Sequence, residues 1–228
     1  DPEVEMRDSG VEWIGEVPEH WTVTRVGFEC DLLTGFPWSS AEFSKESGTR
    51  ILRGINAKEG HTAWGDIEER WPHEVPQESK YWLNQGDVVI PMDGSKVGKN
   101  YAVIGDRDLP VLLHQRVCRV RTPNDTIGLL LSYLIGSGTF RTYVDMNKSS
   151  HFVPHISEKD IADFPMPLPP VREAEEIVSF LNEQTSTIDS TITTERRRID
   201  LLTEYRQALI AGVVTGKINV TDHAEEVH

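Results

Sequence analysis

Cysteine is nearly absent from this chain of 228 residues: Cys30 and Cys118 stand far apart and in no metal-ligand spacing. That excludes a disulfide framework and a cysteine-based zinc site, and both thiols are expected to be buried in a protein of the reducing cytoplasm. Long apolar runs are absent as well. No stretch approaches the ~20 consecutive apolar residues that span a bilayer, so no membrane partner is expected, and no apolar signal segment opens the chain. Asp1 at the first position points to processing or excision from something longer, with Met6 as the expected native start. Basic residues are outnumbered, 23 Lys and Arg against 37 Asp and Glu, for a net charge of −14. A protein that grips a polyanion unaided should carry a basic stripe, so this balance counts against tight solitary binding to nucleic acid.

Catalytic signatures are missing too. There is no Walker phosphate loop, no G-x-S-x-G elbow, no H-E-x-x-H helix and no Pro-Asp…Glu-x-Lys cluster of the metal-dependent nucleases. His151 and His155 are four apart, but Pro154 lies between them and no third ligand is near, so no metal is assigned. Neither a catalytic residue nor a cofactor is expected. The run Gly94-Ser95-Lys96-Val97-Gly98-Lys99 lacks Walker spacing, and its flanks suit strand–turn–strand. Such a glycine-rich hairpin, with two lysines, lets a phosphate backbone approach closely; an ordinary solvated turn is the plain alternative.

Charge is unevenly spread. Residues 1–85 carry net −9, residues 86–159 net +2, residues 160–170 net −2 and residues 171–228 net −5, so only the middle of the chain is not acidic. A local patch there can face a polyanion while the rest repels it.

Two unlike parts follow one another. Residues 1–164 are β-rich, with strands expected at Thr22–Val26, Thr49–Arg53, Asp87–Met92, Tyr101–Ile104 and Gln115–Arg121, punctuated by glycines, and one helix from about Ile127 to Ile135. Four prolines within Phe164–Pro170 then predict a stiff extended linker over 165–171, excluded from helix interiors and central strands. From Arg172 to Ala211 there is neither proline nor glycine, and Glu173, Glu175 and Glu176 favour the start of a helix. Ile177, Leu181, Ile188, Ile192, Ile199, Leu202, Leu209 and Val213 recur at spacings of 3, 4 and 7, which makes one narrow stripe on a helix over 172–216, closed by Gly212 and Gly216. Forty residues make roughly 60 Å of helix. An isolated helix of this kind is marginal, so the stripe calls for a partner as a coiled-coil seam does. Residues 217–228 form a tail.

Several phrases in order resemble one family. Asp8-Ser9-Gly10-Val11-Glu12-Trp13-Ile14-Gly15-Glu16-Val17-Pro18-Glu19-His20-Trp21 is similar to the opening of type I restriction–modification specificity subunits. Leu52-Arg53-Gly54-Ile55-Asn56, Gly86-Asp87-Val88-Val89-Ile90 and Gln115-Arg116-Val117 resemble strand motifs of that family's target recognition domain. His155-Ile156-Ser157, Asp160-Ile161 and the prolines of 165–170 look like its exit, and Tyr205-Arg206, Leu209-Ile210 and Val214-Thr215-Gly216-Lys217-Ile218 like the end of its conserved helix.

The resemblance implies an α+β fold, a β-rich target recognition domain followed by a single long helix that pairs as an antiparallel coiled coil. It implies a non-catalytic subunit, half-length for the family, that reads a half-site of double-stranded DNA and docks methyltransferase subunits, with restriction subunits joining through them. An apolar seam without a partner in the chain predicts a homodimer and a palindromic split site. Polar residues in predicted loops are the candidate DNA contacts: Lys96, Lys99 and Asn100; Arg141; and Asn147, Lys148, Ser149, Ser150 and His151. The acidity keeps a second class of reading open, a protein-binding scaffold or a DNA-mimicking decoy.

Overall fold

The computed structural model describes residues 4–147 and 155–219. The chain divides into two units, one up to Val178 and one from Ser179 onward.

At the centre of the first unit lies a four-stranded antiparallel sheet, ordered Ala102–Val103, Val88–Pro91, Val117–Arg121, Asp31–Thr34. Its inner strands are buried on both faces, which is why Val88-Val89-Ile90 reads as a continuous apolar run rather than an alternation. Val88, Ile90, Cys118 and Val120 meet the helices Asp125–Gly136 and Thr139–Asn147 through Leu131, Ile135, Phe140 and Val144. Val89 and Val117, on the opposite pleat, pack with Leu52, Val111 and Leu113 of a second sheet. That sheet runs Val111–Leu113, Thr49–Leu52, Arg70–Trp71, with its first pair parallel.

The expected strands all appear, each trimmed by a residue or two. Thr22–Arg25 loses Val26 to a short helix, Val26–Glu29. The expected helix begins earlier, at Asp125, because the Asn124 side chain caps it by accepting from the Ile127 amide at 3.0 Å. The phrase from Ser157 to Asp160 has a plain physical role. Ser157 and Asp160 form a capping box that starts the helix Glu158–Ala162.

The proline-rich segment differs from its expected role as a linker. Pro165–Leu168 is a strand, paired antiparallel with Thr22–Arg25 in a two-stranded sheet where prolines cost no central ladder bonds. Phe164 and Met166 are fully buried, and Ala174 and Val178 from the following helix are buried as well. The compact unit therefore extends past residue 164 to Val178.

The long helix runs Val171–Val214, 44 residues, or about 66 Å at the usual rise. Its many threonines do not interrupt it: the hydroxyls of Thr187, Thr191, Thr193, Thr194 and Thr203 donate to carbonyls four residues back. Gly212 lies within the helix. The end comes at Gly216, whose φ of +72° lets the Lys217 and Ile218 amides fold back on the Gly212 carbonyl. None of the described helices is long and apolar enough to cross a membrane.

Candidate nucleic-acid interface

One end of the central sheet gathers the polar groups. There Val88–Pro91 ends beside the start of Val117–Arg121, in the register Val117↔Pro91, and the Met92 amide donates to the Arg116 carbonyl at 2.9 Å. Asp93 continues from this strand and bridges His155, while the Ile156 amide donates to the Met92 carbonyl. Asp93 is the hub of the edge. It accepts from Arg116 NH1 at 2.6 Å on one oxygen and from His155 Nδ1 at 2.5 Å on the other. Burial works to raise the Asp93 carboxyl, but the hydrogen bonds from Arg116 and His155 outweigh it and hold it below the usual carboxylate range. Arg116 itself is 69% exposed at its side chain.

From Asp93 the chain enters the Gly94–Lys99 turn. The strand–turn–strand reading holds here, with Gly94 and Gly98 at φ of +106° and +80° supplying conformations that side chains resist. Val97 is buried and anchors the turn. Lys96 and Lys99 point their charge at the same carboxylate, Glu59, at 4.0 and 3.1 Å, and both stay more than half exposed.

The sequence-predicted contacts therefore divide. Lys96 and Lys99 sit on an exposed turn as expected. Asn100 does not: it is only 8% exposed, drawn inward as the chain re-enters the sheet at Ala102. Arg141 and Asn147 lie on the helix Thr139–Asn147 rather than in a loop. Arg141 is occupied, donating to the Val97 carbonyl at 2.9 Å and to Asp145 at 2.7 Å, so it braces the lysine turn. Asn147, at the exposed end of that helix, donates to the Tyr143 carbonyl at 2.8 Å. Lys148, Ser149, Ser150 and His151 lie outside the described residues.

Sequence reasoning missed Arg116, its neighbour Gln115 and His155 as a group. Both Gln115 and Arg116 form the exposed turn before Val117, and the Gln115 amide donates to the carbonyl of Phe36, an aromatic 40% exposed. A signal existed in the polar stretch His114-Gln115-Arg116 that separates the apolar residues Val111–Leu113 from Val117, but nothing in sequence tied it to Asp93.

The two thiols can be set aside. Burial pushes Cys118 up to about 12 and Cys30, only partly buried, up to about 11, which leaves neither as a thiolate near neutrality. Among the described residues no group of three or more His, Cys, Asp or Glu side chains is placed to hold a metal ion.

Over 171 residues the chain is 33% identical to the type I restriction enzyme EcoAI specificity subunit of Escherichia coli, a match covering 74% of this chain and 29% of that one. It belongs to the family of type I restriction enzyme specificity subunits. Other family members align almost end to end with it. The EcoBI specificity subunit of Escherichia coli is 25% identical over 96% of this chain and 44% of its own length. The MjaVIII specificity subunit of Methanocaldococcus jannaschii is 26% identical over 91% and 48%. The chain thus spans less than half the length of these curated relatives. No protein-family model matches it. The specificity-subunit fold recurs in the HsdS subunit from Thermoanaerobacter tengcongensis, with a TM-score of 0.56 at 20% identity over 81% of this chain and 41% of that one. A chain from a type I R-M system gives 0.64 at 20% identity over 86% and 46%.

Proposed function

We propose that the chain is a non-catalytic DNA-reading subunit of a type I restriction–modification complex, which recognises one half of a split double-stranded target and docks methyltransferase subunits, with restriction subunits bound through them. The observation that carries this reading is the extent of the match. The alignment with the EcoBI specificity subunit covers 219 residues, so it takes in both the β-rich unit and the long helix. The β-rich unit supplies an edge of exposed donors at Lys96, Lys99, Gln115 and Arg116. The helix supplies the seam: Ile188, Ile192, Ile199, Leu202 and Leu209 are all exposed on it. A second copy of this helix, antiparallel to the first, covers that seam, and the resulting two-fold axis generates a two-fold split site.

Partner subunits also account for the charge. With net −14 the chain repels phosphate overall, and a basic methyltransferase subunit provides the neutralisation that non-specific affinity needs. The test is to copurify the chain with a type I methyltransferase subunit and map adenine methylation on plasmid DNA. Methylation confined to one split sequence, and absent without this chain, supports the reading. The acidity favours one rival, a scaffold or DNA-mimicking decoy. That rival gains if the complex forms and leaves the DNA unmodified.

A further inference from the structure

We infer that Arg116 is a base-reading residue, a guanidinium fork presented to a guanine, with Asp93 and His155 as the groups that position it. The inference rests on the DNA-reading proposal above and names the residue that would read.

Backbone conformation provides the first reason. Arg116 has φ of +62°, the only non-glycine residue at positive φ among those described. A left-handed conformation is costly for a long side chain, and glycine would suit this turn better. Strain of this kind persists where a side chain is needed, and this one is held at an exposed tip where packing does not demand it.

The second reason is how the fork is held. One nitrogen, NH1, is fixed on Asp93 at 2.6 Å; among the described residues Nε and NH2 have no protein partner. The carboxylate is itself fixed from the other side by His155, whose Nδ1 must be the donor to an acceptor-only group. Pre-ordering a flexible side chain in this way reduces the entropy lost when it binds.

The third reason separates a base from a phosphate. A phosphate contact exploits net positive charge, and Asp93 cancels the charge of Arg116. What remains after cancellation is geometry, two outward donors on a rigid plane. Guanine presents two acceptors, O6 and N7, side by side in the major groove, the arrangement that such a fork matches. Open space beside Asp93 fits the approach of a groove wall: a Cβ added at Gly94 would meet nothing within 4 Å.

The experiment selects duplexes from a randomised pool with the full chain, alone and with a type I methyltransferase subunit, and compares Arg116→Lys, Arg116→Ala and Asp93→Asn with the unaltered protein. Arg116→Gly serves as the folding control, since it removes the guanidinium and relieves the backbone at once. The expected result is a half-site containing a guanine at which Arg116→Lys, Arg116→Ala and Arg116→Gly lose roughly 10- to 100-fold discrimination, as loss of a bidentate base contact would produce. Other positions and affinity for scrambled DNA stay unchanged. Asp93→Asn should relax the same position by a smaller factor, a readout that a merely structural carboxylate would not move. Uniform weakening across all sequences, or loss at a position that is not guanine, overturns the assignment while leaving the DNA-reading proposal intact. Failure of the unaltered protein to select any sequence, with or without the methyltransferase subunit, overturns that proposal and this one together.

Discussion

Asp87 grips Arg121 with both carboxylate oxygens, Nε to Oδ1 at 2.8 Å and NH2 to Oδ2 at 2.7 Å, while its side chain is only 1% exposed. The same carboxylate accepts from the Asn84 amide at 2.7 Å. A buried carboxylate so fully partnered ties the entry of one central strand to the exit of another. Removing Asp87 leaves Arg121 without its carboxylate partner and the Asn84 amide without its acceptor. Because the Arg121 side chain is 34% exposed, water still solvates it, and Asp87→Ala should destabilise the protein by about 1–3 kcal/mol, the usual cost of losing hydrogen bonds to a charged group. Urea denaturation checks this, and a loss under 1 kcal/mol would show that the pair contributes little.

That pair also marks where the sequence was readable and where it was not. Gly86-Asp87-Val88-Val89-Ile90 was legible as a strand and as a family phrase, because a buried inner strand leaves an unbroken apolar run. The tie from Asp87 to Arg121 was not, since it joins strands 34 positions apart. The same limit governs the candidate site. Lys96 and Lys99 could be placed from a glycine-rich turn, a local feature. The Arg116–Asp93–His155 group is assembled from three separate stretches, and no local pattern announces it. Pro165–Leu168 misled for a different reason. Proline composition excludes a central strand but is silent on a two-stranded edge, which is where the segment pairs.

Acid should loosen the candidate edge only as pH falls below the usual carboxylate range. Asp93 is held below the usual carboxylate range, so its folded form binds a proton less readily than its unfolded form. The sign follows: its contribution is present above the ordinary carboxylate value of about 4 and is lost as pH falls through the lower folded value. Protonation takes away the acceptor shared by Arg116 and His155. In Asp93→Asn this part of the pH dependence should vanish. Titrating the unaltered protein and the variant from pH 6 to about 2, with the His155 ring followed by NMR, distinguishes them; identical profiles would mean that Asp93 does not hold the edge.

Lys96 and Lys99 share Glu59, and that arrangement gives a charge test. Exposed pairs of this kind add little to stability, so their effect should appear in DNA affinity. Alanine at both lysines should weaken binding to every duplex alike and flatten the log–log salt dependence by about one unit per lost phosphate contact. Glu59→Gln should act oppositely, strengthening binding to scrambled and selected DNA in parallel. The measurement is affinity against salt for both kinds of duplex with the methyltransferase subunit present. A change in sequence preference with either variant would count against a phosphate role for this turn.

Beyond its buried start at Ala174 and Val178, the long helix leaves an apolar stripe exposed. Of the predicted seam, Ile192 is 41% exposed and Ile199 61%, with Ile188, Leu202 and Leu209 similarly open. An apolar stripe at spacings of 3, 4 and 7 over several turns is more than scattered surface hydrophobicity, and its burial stabilises association by about 25 cal/mol for each Å² of apolar area removed from water. Self-pairing follows if the partner is a second copy. The unaltered chain should then sediment as a dimer at tens of micromolar. Ile192→Glu combined with Ile199→Glu places charge within the seam near its middle and should give monomers, while the thermal transition of the β-rich unit, whose core contains neither residue, stays where it was. If the unaltered chain sediments as a monomer, the seam belongs to a different helix, and the two-fold arrangement of the split site loses its support.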